Sequence, residues 1–396
     1  MSFTKAFIPY GGYWSTPFCR WQGSLSQQHS IRLAGQVAKG FLDKRKIAPE
    51  TFDGLVLGLT VTQRQSFYGG PWLAGLTGAT SVSGTTVSQA CATSARVLLT
   101  AAMELEAGLR QCVLGVGCDR TSNGPHLYYP DPKGPGGMGE GENPVWDNFN
   151  RDPFAGEAMI QTAENVAREA GITREEQDEV TLLRYRQYQD ALASDRAFQR
   201  RYMVPVELGS GKKATVVAVD EGGHPITPEG LASLRPVVDG GTVTYGTQTF
   251  PADGNAGMCV CTRARAEQLS VDKKVVIQLV AFGEARVKKA FMPMAVVPAA
   301  RQAVERAGIE IKDCRAIKTH NPFAVNDVYF SRQTGVGPEA VNHFGSPLVW
   351  GHPQGPTGLR ATIELIEELV AAGGGYGLFS GCAAGDTAMA VVVKVG

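Results

Sequence analysis

The chain has 396 residues, with 38 Lys+Arg balancing 38 Asp+Glu, so it lacks the basic surface expected of a nucleic-acid or anionic-membrane binder. Hydrophobic residues make up 43%, with 48 Gly and 22 Pro, which describes a loop-rich globular chain of two or three domains. No apolar run approaches a membrane span, the start MSFTKAFIPYGG is unlike a secretory leader, and eight Cys lack framework spacing, so a cytoplasmic protein with free thiols is expected.

In chain order, apolar periodicity predicts a helix over Ile31 to Leu42, then a strand at Leu55-Val-Leu-Gly-Leu. Ser94 to Gly108 reads as a helix apolar nearly all round, which belongs in the middle of the fold, and a strand from Gln111 to Asp119 follows it. The run Tyr129-Pro-Asp-Pro-Lys-Gly-Pro-Gly-Gly is expected to be irregular. Thr173-Arg-Glu-Glu176 fits a capping box opening a helix to about Leu192. Cys259 and Cys261 share one face of a strand that reads as half-buried, without the further ligands a metal site needs. A helix from Pro298 to Ala307 leads into the strand Ala316 to His320. A second helix, Thr357 to Ala372, carries Glu364, Glu367 and Glu368 on one side and stops at Gly373-Gly-Gly before a strand from Tyr376.

The first and last parts thus repeat one helix–strand–helix–strand unit, over about 1–120 and 275–396. The expected fold is α/β in layers, divided into an N-terminal repeat 1–120, a loop or lid domain 121–250, the end of the N-terminal half with a linker over 251–274, and a C-terminal repeat 275–396.

Cys91, in Val87-Ser-Gln-Ala-Cys-Ala-Thr-Ser, follows a strand and precedes a buried helix, where unpaired N–H groups favour a thiolate. His352, in Trp350-Gly-His-Pro-Gln-Gly-Pro-Thr-Gly, occupies the matching junction of the second repeat. A pseudo-twofold would bring the two together as nucleophile and base. Cys382 emerges at a strand end, and its repeat counterpart Cys118 carries no motif and reads as packing.

Over nearly its full length the sequence resembles the thiolases: STPFCRWQGSL, QACATSA, MIQTAENVAREAGITREEQDEV, LRPVVDGGTVTYGTQTFPADGNAG, GHPQGPTGLR and SGCAAGD fall in the family's order. The resemblance implies a duplicated five-layer αβαβα fold with an inserted loop domain. It implies thiolytic cleavage of a 3-oxoacyl-CoA by CoA, or the reverse Claisen condensation, with coenzyme A as substrate, no other cofactor and no metal. On that basis Cys91 is the acylated nucleophile, His352 its base, and Cys382 the group that moves the α-carbon proton. The backbone N–H groups of Cys91 and Ala384 are expected to form an oxyanion hole, and Thr249, Met159 and Phe323 to meet the CoA or acyl chain. A homodimer or homotetramer is implied, and some thiolases of the branch with His in place of the Asn of the family's Asn-Glu-x-Phe segment work beside a small accessory acyl-CoA-binding subunit.

The family's Asn-Glu-x-Phe segment reads His320-Asn321-Pro322-Phe323 here. His320 is expected to donate to an enolate oxygen, the competing reading being a strand-end cap; Asn321 is expected to matter little. Ala384 stands where Gly is usual, and Ala158, Tyr245 and Thr249 differ from common pocket residues, so the chemistry transfers better than the acyl preference. His29, His126, His224 and His343 read as structural or surface, and Asp119 as a cap on its following turn. The pairs Arg200–Arg201 and Lys212–Lys213 read as solvated rather than as phosphate contacts. The alternatives are a decarboxylating β-ketoacyl synthase-like enzyme, which would not need Cys382, and a non-catalytic acyl-CoA-binding subunit, which would not need the intact Cys and His set.

Overall fold

The computed structural model describes residues 2–134, 136–209, 211 and 214–396. Its main sheet runs Cys314–His320, Gly375–Ala383, Thr387–Val395, Ile277–Arg286, Phe7–Ile8, Ala252–Cys261, Cys112–Arg120, Gly54–Gly58 and Thr85–Val87. Two halves meet at Phe7, which pairs with Cys261 on one side and Gln278 on the other. Each half repeats one pattern. Gly54–Gly58 runs parallel to Cys112–Arg120, itself antiparallel to Ala252–Cys261. Likewise Cys314–His320 runs parallel to Gly375–Ala383, itself antiparallel to Thr387–Val395.

The helices Thr93–Glu106 and Thr357–Ala371 pack on each other, and each touches strands of both halves. They therefore form a middle layer. Ser30–Arg45 covers one half from outside and Val296–Ala307 the other, completing five layers, αβαβα. Both faces of each half are covered, so alternation in the strands is lost. Cys259 and Cys261 are fully buried, but so are Met258 and Val260 between and beside them; the strand is wholly rather than half-buried.

The middle layer approaches closely because small residues line it. A Cβ on Gly117 would meet the carbonyl oxygen of Gly355 at 2.8 Å, and one on Gly358 would meet Ser94 Cβ at 2.9 Å. Glu364, Glu367 and Glu368 are buried in this layer rather than solvated. Tyr202 and Arg360 donate to Glu364 Oε1 at 2.7 and 3.1 Å, and Tyr13 donates to Glu367 at 2.6 Å. Buried charges demand such partners.

Between Arg120 and Ala252 the chain leaves the sheet. Tyr129 and Pro130 lie in a two-stranded ribbon, Leu127–Pro130 with Met138–Glu142, so the Pro/Gly run is not irregular at its start. An exposed ribbon tolerates the missing proline N–H. The capping box forms: Thr173 N donates to Glu176 Oε2 at 2.8 Å, and Glu176 N to Thr173 Oγ1 at 3.3 Å. The helix it opens keeps helical dihedrals until Ala193, Ser194 and Asp195 break them. This segment docks by buried ion pairs, Arg184 with Asp327 at 2.7 Å and Asp220 with Arg360 at 2.6 and 2.8 Å.

Candidate active site

The turn after Thr85–Val87 puts Ala90 at φ +43°, a left-handed backbone that a side chain resists and the surroundings must hold. Thr93 does so, its Oγ1 accepting from Gln89 N at 2.8 Å and donating to Ala90 O at 2.7 Å. Cys91 is thereby presented two residues before the helix Thr93–Glu106. His352 N donates to Phe250 O at 3.0 Å and fixes the facing loop. The two halves meet as the repeat predicts: His352 Nε2 lies 3.1 Å from Cys91 Sγ.

The other ring nitrogen, Nδ1, is 2.7 Å from Thr357 Oγ1. With Nδ1–H donating to that hydroxyl, Nε2 is left free to accept the thiol proton. Burial depresses His352 well below the ordinary imidazole range, with His320 adding to the effect. Burial also pushes the Cys91 thiol up to about 11, opposed by the backbone N–H groups of Ala384 and of Cys91 itself. The expected helix-end thiolate is therefore overcome by desolvation. The resting pair is neutral.

Asp119 does not cap its own turn. Its carboxylate accepts from Thr60 N and Val61 N at 2.9 Å each, Thr60 Oγ1 at 2.7 Å and Gly355 N at 2.7 Å. Ser94 Oγ donates to the Gly355 carbonyl. Two residues of the N-terminal half thus clamp the loop that carries His352. Burial lifts the Asp119 carboxyl to about 7 against the pull of those donors.

Cys382 lies fully buried on Gly375–Ala383, and Asn326 Nδ2 donates to its sulfur at 3.2 Å. Burial and the neighbouring Cys91 push its thiol above the ordinary range. Cys118, on the corresponding strand, is buried in the core. Ala384 avoids left-handed backbone, which falls instead on Gly385 at φ +80° and Asp386 at φ +59°. The extra Cβ therefore leaves the turn intact.

His320 ends its strand with its ring centroid 4.1 Å from that of His352. It is fully buried, and neither ring nitrogen has a hydrogen-bond partner among the described residues. It caps nothing. Burial alone drives it down to about 3, so the ring is neutral and offers one N–H. The support this turn needs comes from Asn321, whose Nδ2 donates to Asp327 at 2.6 Å and Ser346 at 3.0 Å. Asn321 accordingly has a structural load that its sequence context does not suggest. The ligand atoms of Cys91, His320 and His352 lie within 4.8 Å of one another, the one constellation among the described residues with metal-ligand spacing.

Among the expected CoA contacts, Thr249 donates to Pro347 O at 2.6 Å, Phe323 is buried at the start of Ala324–Thr334, and Met159 opens its helix half-buried. Ala158 precedes that helix, and Tyr245 is 74% exposed. His29 Nε2 lies 2.7 Å from Arg64 O, His343 Nδ1 lies 2.6 Å from Glu368, and His126 and His224 are exposed. Arg201 bonds Glu367 and Tyr10, whereas Arg200 pairs with exposed Asp195; Lys212 and Lys213 lie outside the described residues.

The family model for the thiolase N-terminal domain matches residues 13–264, and that for the thiolase C-terminal domain matches 273–395. The chain belongs to the thiolase family. Thiolase-family relatives include the acetyl-CoA acetyltransferase of Escherichia coli, 31% identical over 385 residues, covering 94% of this chain and 95% of that protein. The beta-ketothiolase BktB of Cupriavidus necator is 30% identical over 380 residues, with the same coverage of each. Solved structures with this fold include the Bacillus anthracis acetyl-CoA acetyltransferase, at TM-score 0.90, 26% identity and coverage of 100% and 99%. Human mitochondrial 3-ketoacyl-CoA thiolase in complex with CoA matches at TM-score 0.90, 25% identity and the same coverage. Thr357, Asp119 and Asn326, which contact His352, its loop and Cys382, were not readable from sequence as neighbours of these groups; only Thr357 lies inside one of the motifs.

Proposed function

We propose that this chain is a thiolase-type acyl-CoA C-acyltransferase that cleaves a 3-oxoacyl-CoA with CoA, or runs the reverse condensation, through acyl-Cys91. The observation that carries this is the 3.1 Å contact between Cys91 Sγ and His352 Nε2, beside a thiol whose burial is opposed by the backbone N–H groups of Cys91 and Ala384. His352 takes the thiol proton as Cys91 attacks the 3-oxo carbon, and the two N–H groups hold the oxyanion. Collapse breaks the Cα–Cβ bond. The departing enolate oxygen is held by His320 and His352, and its carbon takes the proton of the Cys382 thiol. The Cys382 thiolate then takes the proton of the incoming CoA thiol, which attacks the acyl-Cys91 thioester. The leaving Cys91 sulfur regains its proton from His352, and the enzyme is restored.

CoA is the co-substrate in this reading, with no further cofactor, and Thr249, Met159 and Phe323 are assigned to the CoA or acyl path. The division at 120, 250 and 274 follows the repeat and the docked insertion. No helix among the described residues is long and apolar enough to cross a membrane; a cytoplasmic location rests on composition. A homodimer or homotetramer is proposed, with a small accessory acyl-CoA-binding subunit as a further partner. A thiol-release assay over a panel of 3-oxoacyl-CoAs tests the reading: CoA-dependent cleavage of at least one supports it, and none over the whole panel contradicts it.

A further inference from the structure

Under the reading above, Cys382 must exist as a thiol when it protonates the α-carbon and as a thiolate when it deprotonates CoA. A thiol is best held by a hydrogen-bond acceptor, a thiolate by a donor. A fixed backbone group supplies only one of these.

Asn326 sits in the first turn of Ala324–Thr334 and is 1% exposed. Its Nδ2 lies 3.2 Å from Cys382 Sγ, and it is the one side chain among the described residues that donates to that sulfur. Its Oδ1 is buried and has no partner. A buried, unpaired amide oxygen costs stability, and a leucine of similar size would avoid that cost. Stability therefore does not explain an asparagine here.

The chemistry does. An amide carries a donor and an acceptor on one carbon, and rotation about a broad sp³–sp² torsion exchanges them. We propose that Asn326 is a positioning residue for Cys382 that serves both of its protonation states, presenting Nδ2–H to the thiolate and Oδ1 to the thiol. The adjacent Asp327 carboxylate is fixed by Arg184 at 2.7 Å and by Thr319 and Asn321 at 2.6 Å each. Its charge adds to burial and Cys91 in raising the Cys382 thiol, so the thiolate needs a donor such as Nδ2–H.

The test uses the full-length enzyme with Asn326→Leu, which keeps shape without polarity, Asn326→Asp, which keeps shape but donates nothing when ionised, and Asn326→Ser, which restores a donor and an acceptor. Three quantities are read. Deuterium uptake into the acetyl group of acetyl-CoA in D₂O reports α-proton transfer, intact mass reports acylation of Cys91, and a melting curve reports folding. Losing one hydrogen bond to a charged group predicts exchange slowed about 10- to 100-fold in Asn326→Leu, with Cys91 acylation within about threefold of wild type. Asn326→Asp falls further, and Asn326→Ser recovers part of the loss. Wild-type exchange in Asn326→Leu overturns the proposal, as does parallel loss of acylation, exchange and melting temperature in all three variants. A wild-type enzyme that never acylates Cys91 refutes the thiolase mechanism instead, and so separates the two failures.

Discussion

Replacing His320 by alanine separates a catalytic imidazole from a packing one, because the structure gives its side chain no hydrogen bond to lose. Removing the ring leaves a cavity in a fully buried site, at about 2–4 kcal/mol by analogy with other large-to-small changes. The same change removes two buried, unpaired ring nitrogens, and each such atom costs about 1–3 kcal/mol. These effects oppose each other, so any net destabilisation is expected to be about 2 kcal/mol at most. Catalysis is different: losing one oxyanion donor costs about 3–4 kcal/mol, or roughly 10²–10³ in kcat. The assay combines steady-state cleavage of a 3-oxoacyl-CoA, acylation of Cys91 by intact mass and thermal melting. The expected pattern is a large fall in cleavage with acylation and melting temperature nearly retained. Collapse of stability, or a fall in turnover below about tenfold, refutes the oxyanion role.

Cys382→Ala should still accept an acyl group on Cys91 from a simple acyl-CoA, yet lose carbon–carbon cleavage by several orders of magnitude; equal loss of both steps contradicts its assignment to the α-proton. Asp119→Ala strips the partner from buried donors at Thr60, Val61 and Gly355, so it should destabilise by about 2–4 kcal/mol and slow Cys91 acylation, whereas unchanged melting and acylation contradict the clamp. His320 also ties stability to pH, because the folded state holds it near 3 while the unfolded chain protonates near the ordinary 6.5. Between those values the unfolded state binds the extra proton, so stability is lost as pH falls from about 6.5 toward 3, by on the order of 4–5 kcal/mol from this group. His320→Ala should flatten that acid dependence in urea unfolding, and an unchanged slope contradicts the neutral buried ring.

The duplication was legible because each repeat writes its helices and strands locally, and the structure places Ser30–Arg45 and Val296–Ala307 where the periodicity expects them. Cys91 and His352 were legible for the same reason, each sitting in a short loop whose composition is informative by itself. What sequence could not supply are groups whose meaning lies in a distant partner. Asp119 looks like a turn residue until Gly355 and Thr60 are brought to it. Glu364 and Glu367 look like one polar side of a helix until Tyr202, Arg360 and Tyr13 surround them. The ionisation of Cys91 went the other way from its helix-end placement, since burial, a property of the whole fold, outweighs a local dipole. Asn321 is similar: its importance comes from Asp327 and Ser346, not from chemistry readable in its own segment.

The proposed reaction requires Cys91 to carry the acyl group. Intact-mass measurement after mixing the enzyme with an acyl-CoA donor tests it most directly. The expected result is one acyl adduct per chain, mapped to Cys91, removed by added CoA and absent in Cys91→Ala. An adduct that persists unchanged in Cys91→Ala contradicts it.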